Sequence, residues 1–143
     1  MLKESCNKHE AIMKCKELLG WKATTVESSQ KTIWRILRKR MGQTEKAKSY
    51  LKARGLNHQG VGYNSGNWKG NYAQAAALCG VDAWGKNCVV YPLKNALGQV
   101  VSFYARSLTF GHFYQSGRAG LYPSYPSKAA KKVILTESII DAY

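Results

Sequence analysis

Apolar positions recur at helical spacing early in the chain and at strand spacing later. Between His9 and Leu19, residues Ile12, Met13, Cys15, Leu18 and Leu19 return every three or four positions and stop at Gly20, which predicts a helix. A second helix is expected from Ser28 or Ser29 to Met41. It would turn Ile33, Trp34, Ile36, Leu37 and Met41 to one side. Lys31, Arg35, Arg38 and Lys39 fall on the other side, within about 100° of one another. A third helix should start after a Thr44 cap and end at Gly55, with Ala47, Tyr50 and Leu51 inward.

After Gly55 the glycines multiply, and a loop with a short strand at Val61–Tyr63 is expected. The alanine-rich run Asn71–Cys79 closes at Gly80 and reads as a short buried helix. Cys88–Leu93 is an apolar strand, in which Pro92 requires an edge or a bulge because it has no ladder donor. Lys94–Gly98 makes a turn. In the return strand, Gln99–Arg106, Val101, Phe103 and Ala105 alternate with Val100, Ser102, Tyr104 and Arg106. His112–Ser116 is read as a further strand and Tyr122–Ser127, with two prolines, as a linker. Val133, Ile134 and Leu135 then form a continuous apolar run of the kind found in buried parallel strands, followed by Glu137 and the start of a helix. The order of elements predicts an α+β protein, with N-terminal helices followed by a small mixed or antiparallel sheet. A lone strand and helix start cannot bury its own faces, so more chain is expected to complete that last unit.

Composition narrows the class. The 143 residues are 45% apolar and include four Trp and nine Tyr, which excludes wholesale disorder and allows a substantial core. No apolar run nears the ~20 residues of a membrane span. The opening MLKESCNKHE lacks the apolar stretch of a secretory signal, so a cytoplasmic protein with reduced thiols is expected. Cys6, Cys15, Cys79 and Cys88 contain no Cys-x-x-Cys pair, and buried thiols fit them better than zinc ligands.

Charge changes the picture most. The net charge is +14, and from Lys46 to Thr136 there are twelve bases against one acid, Asp82. A polyanion is the natural partner, nucleic acid before anionic membrane. On the return strand Tyr104 and Arg106 project from the same face. An aromatic beside a guanidinium suits a single strand, with a base stacked and a phosphate neutralised; a plain solvated sheet face is the alternative. Glu137 would stand at the carboxyl end of a buried strand, where open α/β folds place their sites. Asp141 would share a helix face with it at i+4. Two carboxylates are part of a metal site, or simply acids favoured at a helix N-terminus.

The order of motifs resembles the bacterial DnaG-type primases, including primase-like proteins of mobile elements. YLKARGL (Tyr50–Leu56) is similar to that family's helix ending in Arg-Gly-Leu, and VGYNSGNW (Val61–Trp68) to its Gly-Tyr loop. VVYPLKNALGQVVSFYARSL (Val89–Leu108) resembles the paired strands that read Phe-Pro-Ile, Asp-x-x-Gly and Gly-Phe-x-x-Arg. HFYQSGRAGLY (His112–Tyr122) resembles the Lys-Tyr-x-Asn-Ser segment, and VILTESIID (Val133–Asp141) the opening of the toprim domain, the metal-binding fold of primases and topoisomerases. HEAIMKCKELLGW (His9–Trp21) resembles the helix just downstream of the family's zinc finger. The departures are His112 for the motif's Lys and Asn95 for the turn's Asp. Neither the Cys-His-Cys-Cys finger nor the toprim Asp-x-Asp acids are found in these residues.

The resemblance implies a helical segment over 1–55, a β-rich primase-core subdomain over 56–128 and the first, truncated part of a toprim domain over 129–143. It implies part of a DNA primase, a nucleotidyltransferase that makes RNA primers from ribonucleotides on a single-stranded DNA template for replication, with a replicative helicase as a further partner. It makes Glu137 the first toprim acid, catalytic and metal-binding with Asp141, and Mg²⁺ or Mn²⁺ the cofactor; zinc belongs only to an upstream finger. Arg106 matches the family's basic groove, and Tyr104, Lys94, Lys86, His112 and Arg118 complete the candidate nucleic-acid-binding set. A non-catalytic single-stranded nucleic-acid-binding module of a mobile-element protein is the alternative. Another toprim enzyme, a nuclease or topoisomerase, fits less well, because the Tyr50–Tyr122 motifs precede toprim specifically in primases.

Overall fold

The computed structural model describes residues 26–84, 87–136 and 138–139. Helix α1 occupies 26–42, α2 Glu45–Ala53 and α3 Ala73–Leu78, the last preceded by a 3₁₀ turn at Gly70–Tyr72. Strands β1 (Gly62–Asn64), β2 (Cys88–Lys94), β3 (Val100–Ser107) and β4 (Phe113–Gln115) form one antiparallel sheet in the order β1-β2-β3-β4. The architecture is α+β, as the hydrophobic pattern predicts.

Local chemistry explains the boundaries. Helices α2 and α3 both end in a glycine in the left-handed region, Gly55 (φ 70°) and Gly80 (φ 70°), where a Cβ would be strained. After α2 the Leu56 amide donates to the Leu51 carbonyl and the Gly55 amide to Lys52, and after α3 Val81 and Gly80 repeat the pattern on Ala76 and Ala77. Leu51 and Leu56 then meet in the core, as this terminating motif favours. Thr44 takes the N-cap position of α2, yet its hydroxyl donates backwards to the Arg40 carbonyl at 2.8 Å. The expected cap therefore closes the end of α1 instead of opening α2.

The β2–β3 turn is held by Asn95, whose side-chain oxygen accepts from the amides of Leu97 and Gln99, each at 3.0 Å. Pro92 is accommodated in two ways. Strand β1 pairs with β2 only at residues 88–90, so Pro92 faces a partner on one side alone. The ladder also shifts register between Leu93 and Lys94.

The pleat divides the core. Cys88, Val90, Phe103 and Ala105 face a cluster with Ile33 and Leu37 of α1, Ala76 of α3, Val81 and Trp84. Val89, Tyr91, Leu93 and Tyr104 face the other way, onto Met41, Ala47, Leu51, Val61 and Tyr63. Helix α1 lies against β1, where a Cβ built on Gly62 would stand 2.8 Å from Leu37 Cβ and 3.0 Å from Trp34 Cζ3. Asn64, fully buried, is satisfied on both ends. Its amide donates to the Val81 carbonyl, and its oxygen accepts from the Gly66 amide and the Trp68 indole.

Residues 133–135 depart from expectation. They form no strand, and Val133, Ile134 and Leu135 are 51%, 77% and 83% exposed. A strand needs a ladder partner for its backbone groups, and no described strand pairs with this run. The expected helix at 9–19 lies outside the described residues.

The Gly62 contact yields a stability prediction. Gly62→Ala should destabilise the fold by about 1–3 kcal/mol through overpacking against α1. Gly42→Ala, helical and with open space around it, should be neutral or stabilising by up to ~1 kcal/mol. Denaturant midpoints of the two variants check the contrast.

Candidate nucleic-acid interface

The sheet face that carries Arg106 is built by register. One row across the sheet runs Tyr63, Val89, Arg106, Phe113, and the next runs Tyr91, Tyr104, Gln115. Side chains in such rows are neighbours, roughly 4.5–5.5 Å apart at Cβ. The rings follow in sequence. Tyr122 meets Tyr91 edge-on at 5.2 Å, Tyr91 tilts against Tyr104 at 6.3 Å, and Tyr104 stacks on Phe113 at 5.9 Å with planes 15° apart.

Tyr104 is not the open platform that strand alternation suggests. It is 9% exposed, packed between Tyr91 and Phe113 in the second cluster. The neighbouring rings of Tyr91 and Phe113 cover it, and the same side of the sheet packs on Met41, Ala47 and Leu51 elsewhere, so neither face is solvated throughout. The exposed aromatic here is Phe113, at 60%. Arg106 is half-buried, and its Nε is buried without a hydrogen-bond partner among the described residues. An orphaned buried donor of this kind costs about 1–3 kcal/mol until an acceptor arrives.

The other expected residues divide by position. His112 is exposed immediately before Phe113, and its carbonyl accepts the Ser107 amide at 2.8 Å. It therefore stands at the Arg106 end of the sheet. Arg118 lines an open groove of about 880 Å³ beside Tyr104, Gln115 and Tyr122, which residues 133–136 and 138–139 also line. Lys94 is five residues along β2 from Val89, the partner of Arg106, or about 17 Å away at strand rise. The structure thus separates Lys94 from Arg106. Lys86, Glu137 and Asp141 lie outside the described residues. Among the described residues, no three His, Cys, Asp or Glu side chains gather to hold a metal, and no helix is long and apolar enough to cross a membrane.

Two features escaped the sequence reading. Phe113 was hidden because β4 has three residues, too few for alternation to assign a face. Arg54 lies over the Tyr50 ring at 4.6 Å, a pair with i, i+4 helical spacing that could have been noticed. Tyr50 packs against the second cluster, so Arg54 is an exposed cation steadied near the same face.

Of the four cysteines, Cys79 and Cys88 are described, and both thiols are buried. Burial pushes each up to about 11 from an ordinary 9.0. Such thiols are poor nucleophiles and poor ligands at neutral pH.

No family model matches the chain, and no curated protein matches it. A solved structure does: that of a DnaG primase catalytic domain bound to ssDNA, with a TM-score of 0.55 at 18% identity. The match covers 70% of this chain and 41% of that one, so the chain spans well under half of the catalytic domain it resembles. The fold is primase-like.

The thiols give a pH prediction with a definite sign. Their folded pKa is raised, so the unfolded chain loses these protons first as pH rises. Stability should hold below about pH 9 and fall between about pH 9 and pH 11. Thermal melts across that range should show the fall, and Cys88→Ala should reduce its slope.

Proposed function

We propose that this chain is the nucleic-acid-binding part of a primase-like protein, and that Phe113 and Arg106 hold single-stranded DNA on the β3–β4 face. The observation that carries the reading is the exposed Phe113 ring, backed by Tyr104, next to the half-buried guanidinium of Arg106, whose Nε has no partner among the described residues. A base stacked on Phe113 gains apolar contact without disturbing the rings below. A phosphate beside Arg106 is neutralised by its half-buried guanidinium. His112, Arg118 and Arg54 add positive charge along the strand's path, with little sequence preference.

The wider reading is a DNA primase that extends RNA primers from ribonucleotides on that template. The motif order from Tyr50 to Asp141 and the likeness to a primase domain bound to ssDNA support it. In this reading Glu137, with Asp141, offers carboxylate oxygens to Mg²⁺ or Mn²⁺. When bound, the metal would stabilise the attacking and leaving oxygens of the displacement. Waters and substrate phosphates would complete the coordination of a cation held by two carboxylates, and further acids would strengthen that hold. The scarcity of acids near the interface equally favours the second reading, a non-catalytic single-stranded DNA-binding module.

Titrating a labelled octanucleotide, followed by anisotropy over a salt series, tests the interface. Phe113→Ala should weaken binding by about 1–3 kcal/mol with little change in salt slope, because stacking is lost. Arg106→Ala should reduce the log–log slope by about 0.7, one phosphate contact. Affinity unchanged in both variants would remove the β3–β4 face from consideration.

A template-dependent primer assay addresses the carboxylates. The 143-residue chain supplied with Mg²⁺ or Mn²⁺ and ribonucleotides should make no primer. Robust synthesis would show that the acids present suffice.

A further inference from the structure

We propose that the outer face of helix α1 is a second phosphate track, fitted to double-stranded nucleic acid and separate from the β3–β4 face. Lys31, Arg35, Arg38 and Lys39 are all exposed along one side of this helix. Lys31, Arg35 and Lys39 follow at four-residue steps, so the row spans about 12 Å of helix axis. That length lies alongside three to four phosphates of one duplex strand, at about 3.4 Å each. The only acid on the described part of α1 is Glu27, which pairs with Lys31 at 3.3 Å and leaves the rest of the row uncompensated. Arg38 also borders a recess of about 400 Å³ with His58, Gln59 and Gly60, which extends the positive surface past the end of the helix.

Three observations select the partner. The row bears no exposed ring or aliphatic side chain; the exposed large apolar residues of the described chain all lie on other elements. A membrane surface needs apolar side chains to insert, so it fits poorly. A single strand needs platforms for its unpaired bases, which this face also lacks. A duplex, whose bases pair with each other, needs only charges along its backbone.

The two tracks are also kept apart by the fold. Ile33 and Leu37 seat α1 on the sheet face that carries Val90 and Phe103, whereas Arg106 belongs to the row of Tyr63 and Val89 on the reverse. The sheet and the roughly 10 Å thickness of the helix lie between them. A short strand on one surface therefore does not reach the other. This goes beyond the single-strand reading and does not depend on it.

The test uses a labelled 16-base-pair duplex and the same labelled octanucleotide, each with the 143-residue chain. Replacing Lys31, Arg35, Arg38 and Lys39 together by Gln should reduce the duplex salt slope by roughly 3, about 0.9 per contact. Duplex affinity at moderate salt should fall at least about tenfold. Octanucleotide binding should be unchanged, and excess unlabelled octanucleotide should leave the duplex bound. A charge-matched control with Lys46, Lys52, Lys128 and Lys131 replaced by Gln separates this row from bulk charge and should have a much smaller effect. Circular dichroism and melting check the fold, and Arg35→Gln alone, expected to remove about 0.9 of slope, serves if the fourfold variant does not fold. An unchanged duplex slope, an equal loss in the control, or full displacement by octanucleotide would overturn the proposal. Loss of octanucleotide binding in Phe113→Ala and Arg106→Ala reports on the other face alone.

Discussion

The antiparallel pairing of β2 with β3 sets the position of every other element. Seven positions of β2 face β3, and the pleat sends their side chains alternately to two sides. Both sides are apolar, so both must be covered. Helix α1 does this across the β1 edge, with Ile33 and Leu37 in one cluster and Met41 in the other. That passage is possible because Gly62 lets α1 approach the strand more closely than any side chain would permit. Helix α2 continues from Met41 across the second face, and α3 with Trp84 completes the first.

The elements legible in the sequence are those whose signals are local. The α1 period, the two glycine-terminated helices and the β2–β3 hairpin with its Asn95 turn all follow from residues close together in the chain. The strands fall within a residue or two of their expected ends. What local pattern did not carry was the cover on the second face. Alternation in β3 made Tyr104 look solvated, because nothing in β3 itself reveals that Tyr91 and Phe113 of the neighbouring strands close over it. Thr44 shows the same limit on a smaller scale, since its hydroxyl had two nearby backbone partners and took the one in the preceding helix. The run Val133–Leu135 was read from its continuous apolar character and its motif resemblance, and neither supplies a ladder partner.

The candidate interface was partly legible for a related reason. Arg106 could be placed because it shares a strand with Tyr104, and residues two apart on a strand share a face. Phe113 joins them only through β3–β4 register, a long-range fact. Lys94 and Arg106 belong to the same hairpin and the same candidate set, but they stand near opposite ends of it. The exposed ring, the half-buried guanidinium and the groove beside Arg118 thus come together through tertiary pairing, while their chemistry was visible as residue types.

The charge and the core act on different terms of the free energy. The two clusters are apolar, and the two ion pairs among the described residues, Lys31–Glu27 and Lys48–Glu45, join residues on exposed helix faces where such pairs add little. Folding therefore rests on burial, while a net charge of +14 works against compactness through self-repulsion. A bound polyanion removes that repulsion. Because the folded surface arranges these cations and the unfolded chain does not, binding and stability are linked, and the linkage weakens as salt screens the charges. The excess of bases is thus a cost to the free protein that a polyanion would relieve, which is the physical reason to read it as a binding surface rather than as a solubilising coat.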